Sequence, residues 1–176
     1  MKSHVAHAFR SPIGTNYLRE LQGSGGNRAE FEEARERCFE LAASDPEAFF
    51  RSIRTLALGY DLPPNRVQQD EYWLFANDRI FGSCRIRHRL IAMTELDRGH
   101  IAYEIRPSAR RQGYGTAILR LALTKARLLD LDRVLLTTHP SNHGSIRVIE
   151  KNGGEFQDEC LSPFTGETVH RYWISL

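Results

Sequence analysis

Cysteine is scarce in this chain of 176 residues, which has three, and none of them lies at the Cys-x-x-Cys spacing of zinc or redox motifs. Cys84 falls in a strand-like run, where a small apolar core residue is the expected role. We therefore expect neither a metal site nor a disulfide framework. Stability has to come from a hydrophobic core, and the length is sufficient for one domain with such a core.

Long hydrophobic runs and charge of one sign are also missing. No stretch approaches the roughly 18 apolar residues of a membrane-spanning helix, and the N-terminal sequence MKSHVAHAFRSP lacks the apolar segment of a signal peptide. The 24 basic and 22 acidic residues nearly balance, at a net charge of +2, which predicts no nucleic-acid binding. We expect a soluble cytoplasmic protein without membrane association.

The residues that are present predict one domain over residues 1–176, with a helical part at 1–65 and a core at 66–176. The first part contains a glycine-rich loop at residues 23–26 and a helix over residues 28–43. Asp45 and Pro46 are typical of a helix N-terminus. The helix that follows is expected to run to about Leu58 and to stop at Gly59.

After residue 65 the hydrophobic pattern indicates a mixed α/β sheet. The expected strands are Tyr72–Ala76, Arg79–Leu90, His100–Arg106, Val134–Thr138, Phe156–Leu161 and Val169–Ser175. The expected helices are Gly113–Leu129 and Ser141–Asn152. Hairpins make most of the sheet antiparallel, and the unit from His100 to Thr138 predicts a right-handed crossover between central parallel strands. Arg85, Arg87 and Arg89 share one strand face, either solvated or in contact with an anionic ligand.

The segment from Arg106 to Thr116 carries the clearest chemical signal. A strand ends, the chain turns at Arg110 and Arg111, and a helix starts beside Gly113 and Gly115. Unpaired N–H groups and the positive end of the helix dipole favour a phosphate there. The segment is not a nucleotide-triphosphate loop, since no Gly-Lys-Ser/Thr follows, and Ile118 excludes the dinucleotide fingerprint.

This segment resembles the acyl-CoA pyrophosphate loop of the GNAT N-acetyltransferases, whose pattern is Gln/Arg-x-x-Gly-x-Gly/Ala. The resemblance continues through residues 135–138, Asn142, Ser145 and residues 150–156, and it covers about residues 68–176. Within the family, the chain is similar to an uncharacterised bacterial subgroup of acetyltransferases. The resemblance implies a GNAT-like fold with acetyl-CoA as co-substrate and no metal.

The resemblance also implies which residues bind acetyl-CoA. The pyrophosphate would lie on the N–H groups of residues 111–115, the pantetheine arm would pair with the strand that ends at Ile105, and Asn142 would hydrogen-bond that arm. The residues expected to bind the cofactor are Ile105, Arg106, Arg110, Arg111, Gln112, Gly113, Tyr114, Gly115, Thr116, Asn142 and Ser145.

In the mechanism that the resemblance implies, an amine attacks the thioester directly, which requires a proton acceptor. The candidates are His100 and Glu104, with Glu95 and Asp97 just ahead of them. The family's usual tyrosine, which protonates the leaving thiolate, is replaced by Ile149. Either transfer proceeds without an acid, since a thiolate is a tolerable leaving group, or another donor serves; the candidate donors are Tyr114, Tyr103 and His139.

The sequence does not distinguish between four kinds of acceptor: a small amine, an antibiotic, a peptide N-terminus and a protein lysine. The resemblance allows a homodimer. A non-catalytic acyl-CoA sensor is the first alternative, because of Ile149. A binding module for another phosphate ligand is the second, and residues 142–156 argue against it, since a generic phosphate loop does not require them.

Overall fold

The structure is a computed structural model that describes residues 40–42, 44–76 and 79–176. The predicted loop at 23–26, most of the predicted helix at 28–43 and the turn at Asn77–Asp78 lie outside the described residues. The helices are α1 (Pro46–Leu58), α2 (Ala92–Leu96), α3 (Tyr114–Arg127) and α4 (His143–Lys151). The strands are β1 (Gln69–Ala76), β2 (Arg79–Arg87), β3 (Ile101–Ile105), β4 (Arg133–Thr138), β5 (Glu155–Leu161) and β6 (Thr168–Ser175).

The strands form a sheet in the order β1-β2-β3 and a second sheet in the order β4-β6-β5. Every ladder within these sheets is antiparallel. Between the sheets, the backbone N–H of His100 donates to the carbonyl of Leu135 at 2.7 Å. The mixed α/β fold with flanking helices is confirmed. The predicted strand–helix–strand unit, β3-α3-β4, connects the two sheets at this contact and forms no ladder of its own in the described strands.

The start and stop signals of α1 act as predicted. The Asp45 side chain accepts a hydrogen bond from the N–H of Ala48 at 2.9 Å, and Pro46 occupies the first helical turn. Gly59 ends the helix in the left-handed conformation, with φ of 73°. Phe49 is buried in a small cluster with Ile80, so α1 covers the edge of the first sheet.

A larger core lies between α3, α4 and both sheets. The buried residues of α3 recur at helical spacing and are Ile118, Leu119, Ala122, Leu123 and Ala126. They pack in one cluster with Ile86, Leu136 and Ile149, each at most 1% exposed. This core holds β3, α3 and α4 together, and the loop between β3 and α3 lies at its margin.

The predicted strand at Arg79–Leu90 is too long: β2 ends at Arg87, and the short helix α2 was not predicted. Arg87 is 6% exposed, and its Nη1 donates to the carbonyls of Arg98 and Gly99 at 3.0 and 2.9 Å. Arg85 pairs with Glu71 at 3.0 Å, while Arg89 is exposed. The three arginines therefore do not form one uniform surface, because the middle one supports the turn that follows α2.

Candidate functional site

The loop between β3 and α3 has the backbone of an anion-binding nest. After a 3-10 turn at Pro107–Ala109, Arg111 adopts φ of 61° and Gly113 adopts φ of 85°. Gly113 is the N-cap of α3, and no side chain caps the helix. The first N–H groups of α3 thus lack the capping partner that serine, threonine or aspartate usually supplies, and they are available to a bound anion.

The glycines of the loop have different roles. A Cβ on Gly113 would meet nothing within 4 Å, so the space beside this residue is open to a ligand. A Cβ on Gly115 would lie 3.1 Å from Cγ2 of Val148, so this glycine lets α3 approach α4 closely. The open backbone, the uncapped helix and the exposed Arg110 and Arg111 fit a pyrophosphate group.

Polar contacts fix the shape of the loop. The Nε of Arg110 donates to the carbonyl of Ile105 at 3.1 Å, and Nε2 of Gln112 donates to the carbonyl of Ser108 at 3.0 Å. A ligand that pairs with the Ile105 carbonyl must share or displace the Arg110 contact. Arg106 is only 9% exposed and its Nη1 donates to the carbonyl of Ile80, so it is directed into the protein, away from the exposed loop.

The N-terminus of α4 carries the polar residues Asn142 and Ser145. The Oδ1 of Asn142 caps α4 by accepting from the N–H of Ser145 at 3.1 Å, which leaves its amide group as a donor. Farther along, Nδ2 of Asn152 donates to the carbonyl of Thr116 at 3.4 Å. Asn142 and Ser145 thus begin a helix whose C-terminal end packs against the start of α3.

Tyr103 and Glu104 are neighbours on β3 and therefore point to opposite faces of the sheet. The Tyr103 ring packs against the core to which Ile146 and Val148 of α4 also contribute. On the other face, Glu104 lies opposite Ser83, whose Oγ donates to Oε1 of Glu104 at 3.4 Å. Ser83 in turn lies opposite Trp73, so a carboxylate, a hydroxyl and an indole follow one row across the sheet.

His100 is part of the junction between the sheets. It is 7% exposed, and its Nδ1 accepts a hydrogen bond from the N–H of Leu135 at 2.9 Å. Burial, together with Arg87 and Arg133, lowers the pKa of His100 to about 4. Because Nδ1 is occupied and Nε2 carries the remaining proton, this arrangement offers no lone pair for proton transfer from an amine.

The pKa of His100 predicts how stability depends on pH. An unfolded histidine has a pKa of about 6.5, so the unfolded state binds the proton first as pH falls. The stabilisation that comes from the buried, neutral His100 is fully present above about pH 6.5. It is lost as the pH falls to about 4, and this loss lowers the free energy of unfolding by about 3 kcal/mol. We expect urea unfolding at pH 7 and pH 4 to show a smaller loss of stability in His100→Asn than in the wild type.

Asparagine suits this comparison because its Oδ1 can replace Nδ1 as the acceptor from Leu135, but it does not titrate. His143→Asn is the control, since His143 is exposed on α4. It should keep the full pH dependence of the wild-type protein. Equal losses in His100→Asn and in the wild type would contradict the prediction.

The remaining sequence candidates are spread over the molecule. The Tyr114 ring stacks on Phe81 at 4.5 Å between centroids, beside the loop between β3 and α3. Asp97 is 4% exposed and accepts from the N–H of Arg98 and the hydroxyls of Thr137 and Ser162. It thus has a structural role. Glu95 is exposed on α2, and Nδ1 of His139 lies 2.7 Å from the Ser141 hydroxyl.

Two residues near the site had no signal in the sequence. Ser83, the partner of Glu104, depends on the pairing of β2 with β3. Phe81, the partner of Tyr114, depends on the packing of α3 beside β2. In residues 40–42, 44–76 and 79–176, no group of His, Cys, Asp or Glu side chains is arranged to hold a metal ion. Nor does this part of the chain contain a helix long and apolar enough to cross a membrane.

Comparisons with known proteins identify the family and the fold. The model of an acetyltransferase (GNAT) domain matches residues 28–155. No curated protein matches the chain by sequence.

Solved structures with a similar fold include RimJ from Mycobacterium smegmatis in complex with CoA-disulfide. Its TM-score is 0.59 at 18% identity, over 76% of this chain and 62% of that one. The putative acetyltransferase yncA from Salmonella typhimurium, with acetyl-CoA, has a TM-score of 0.53 at 12% identity, over 76% and 73%. The aminoglycoside acetyltransferase AAC(6')-Ib, with coenzyme A and kanamycin, has a TM-score of 0.50 at 18% identity, over 61% and 66%.

Proposed function

Because this chain belongs to the GNAT acetyltransferase family, we propose that it transfers the acetyl group of acetyl-CoA directly to an amine acceptor. The observation that carries the proposal is the uncapped N-terminus of α3, with open space at Gly113 and two exposed arginines beside it. A phosphate ligand is the chemical partner of such a helix end. CoA is the phosphate ligand that the related structures contain.

In this proposal the loop binds the pyrophosphate through the N–H groups of residues 111–115, and Arg110 and Arg111 supply positive charge. The end of β3 and the amide of Asn142 bind the pantetheine arm. The proposed binding residues are those of the sequence prediction: Ile105, Arg106, Arg110, Arg111, Gln112, Gly113, Tyr114, Gly115, Thr116, Asn142 and Ser145. Arg106 and Thr116 contribute through backbone position, because Arg106 is directed inward and the carbonyl of Thr116 accepts from Asn152.

We assign the proton acceptor to Glu104 rather than to His100 or Tyr114. Its carboxylate lies on β3 beside the Ser83 hydroxyl, which orients it. A carboxylate near the attacking amine can take the proton that the nitrogen loses as the C–N bond forms. His100 keeps a positioning role, since it joins β3 to Leu135 at the point where the sheets meet.

The acceptor is proposed to be a small-molecule or peptide amine. One related structure contains the aminoglycoside kanamycin, a small molecule with several amino groups. The Glu104 carboxylate and the Trp73 indole share the face of the sheet opposite Tyr103, and a cationic amine fits such a pair. A cytoplasmic location and a homodimer remain predictions from the sequence.

A non-catalytic acyl-CoA-binding protein is the second candidate. The position that carries the family's tyrosine holds Ile149, which is 1% exposed and packs in the core. A sensor would bind acetyl-CoA without turnover. Release of CoA thiol in the presence of a panel of amines, including kanamycin and short peptides, separates this candidate from the enzyme.

The substitution Gly113→Asp tests the binding site. It is expected to weaken acetyl-CoA binding at least tenfold, about 1.4 kcal/mol, because the side chain enters the open space and its charge repels the pyrophosphate. Isothermal titration calorimetry with acetyl-CoA measures the change. Gly166→Asp is a matched control, since Gly166 also has a positive φ, of 69°, and open space around its Cβ position.

The control should bind acetyl-CoA as the wild type does, because Gly166 lies in the loop between β5 and β6. Unchanged affinity in folded Gly113→Asp would show that the loop does not hold the pyrophosphate. Equal losses in both variants would show that the effect comes from backbone strain at a left-handed position.

A further inference from the structure

One face of β5 is exposed, although the same face of β4 and β6 is largely buried. Leu136, Tyr172 and Phe156 lie opposite one another on β4, β6 and β5, and they are 1%, 4% and 54% exposed. Helix α4 packs on this face, since its Ile149 belongs to the same core cluster as Leu136 and Tyr172. The cover that α4 provides thus extends over β4 and β6 and ends before β5.

The exposed face of β5 carries a negative charge between two apolar side chains. Phe156 and Leu161 are both exposed, and Glu159 lies between them on the same face, since the partners of all three alternate along β6. The Glu159 carboxylate is 3.6 Å from Nε2 of His170, and its side chain remains exposed. The partners of Phe156 and Leu161 are four residues apart on β6, a span of about 13 Å. We call Phe156, Glu159 and Leu161 the β5 patch.

A patch of the same pattern but opposite charge lies on α3. Leu121 and Leu128 are exposed, and they lie seven residues apart, about 10 Å along the helix. Lys125 is exposed between them on the same stripe, with its ammonium group 5.9 Å from the centre of the Tyr72 ring. We call Leu121, Lys125 and Leu128 the α3 patch. It begins about two turns after Gly113, so it does not include the loop between β3 and α3.

We propose that the α3 patch of one copy of this chain docks on the β5 patch of a second copy. Both patches have the order apolar, charged, apolar, their charges are opposite, and their spans of about 10 and 13 Å are similar. In this contact Lys125 pairs with Glu159 of the partner subunit, and the two leucines of α3 cover the exposed apolar side chains of β5. The inference goes beyond the proposed function, because neither patch contains a residue proposed to bind acetyl-CoA or the acceptor.

Charge and backbone geometry select this occupant of the β5 patch over two others. Two β5 patches that faced each other would bring Glu159 against its own copy, with Glu155 beside it, and such like charges repel. An added strand at the edge of β5 would meet the irregularity between Phe156 and Asp158, as well as the same carboxylates. A helix on the face of the strand needs no ladder, and the α3 patch brings the complementary charge.

The contact is heterologous, because the two patches are different surfaces of the same chain. Helix α4 lies between them: it packs beside α3 where Gly115 meets Val148, and it covers the strands that precede β5 in the sheet. A copy that uses both patches therefore contacts two neighbours, so the assembly grows beyond a dimer or closes into a ring. Three side chains on each surface make a small contact, and small contacts associate weakly. We expect self-association at high protein concentration only.

Sedimentation velocity from micromolar to millimolar protein tests the inference. The weight-average mass of the wild type should rise with concentration beyond that of a dimer. Leu161→Ser removes the β5 patch and Lys125→Glu removes the α3 patch, and each should weaken the association by about tenfold. Leu58→Ser is the matched control, because Leu58 at the end of α1 is 58% exposed, close to the 66% of Leu161, and lies in neither patch. It should associate as the wild type does.

An equimolar mixture of the two patch variants gives the sharpest result. Lys125→Glu keeps its β5 patch and Leu161→Ser keeps its α3 patch, so the mixture should form pairs that stop at a dimer, at a concentration where each variant alone is monomeric. If the wild type associates but the mixture does not, the contact uses other surfaces and the inference is overturned. A wild type that stays monomeric throughout also overturns it, and a basic helix of a different protein would then be the occupant that fits the β5 patch.

Discussion

Replacing Glu104 by glutamine is expected to lower kcat for acetyl transfer by about 10²-fold, the low end of general-base effects. The amide keeps the shape of the side chain, and its oxygen can still accept from the Ser83 hydroxyl. Folding and acetyl-CoA affinity should therefore be unchanged, and only the capacity to accept a proton is lost. The measurement is the rate of CoA thiol release with saturating acetyl-CoA and amine.

His100→Asn is the comparison for this experiment, because it alters the other titratable residue that the sequence places on the same segment. It should keep the pH dependence of kcat, whereas Glu104→Gln should lose the rate at every pH. Full activity in Glu104→Gln would show that the proton acceptor lies elsewhere. If kcat of His100→Asn no longer falls at low pH, the proton acceptor is His100 and not Glu104, despite the buried Nδ1 of His100.

Replacing Gly99 by alanine is expected to lower the free energy of unfolding by about 3 kcal/mol or more. Gly99 has φ of 54°, and an added Cβ would overlap the carbonyl of Leu135, with 2.8 Å to its carbon. Both groups are backbone, so no rotamer change relieves the contact. The sheets would have to separate at His100, and urea denaturation measures the cost.

Gly166→Ala separates the two causes of this loss. Gly166 has φ of 69° but nothing within 4 Å of its Cβ position, so alanine there meets only the conformational cost of about 1 kcal/mol. The difference between the two losses in unfolding free energy measures the cost of the backbone clash where the sheets meet. Equal losses of stability would show that only the positive φ of Gly99 disfavours alanine. The backbone at the sheet junction would then be able to move enough to accommodate the added Cβ.

Local signals in the sequence predicted much of the fold. The aspartate–proline start and glycine stop of α1 involve neighbouring residues, and they fixed that helix to within a residue. The apolar stripe of α3 and the glycines before it likewise predicted the helix and the loop that precedes it. Such features succeed because the residues that interact are close in the chain.

Features that depend on distant contacts were not predictable in the same way. The end of β2 and the presence of α2 depend on the buried Arg87, whose acceptors lie more than ten residues away. The intrinsic pKa of histidine made His100 a plausible base, but the N–H of Leu135, 35 residues later, occupies its acceptor nitrogen.

The uncapped start of α3 has a consequence for the folding equilibrium. A helix whose first N–H groups have no side-chain partner forgoes the stabilisation of a cap, typically about 1 kcal/mol. An anion that binds only the folded loop restores those hydrogen bonds and shifts the population towards the native state. At a concentration 100 times its Kd, a ligand stabilises the folded chain by about 2.7 kcal/mol. If the loop between β3 and α3 binds a phosphate ligand as proposed, the thermal stability of this protein depends on the concentration of that ligand.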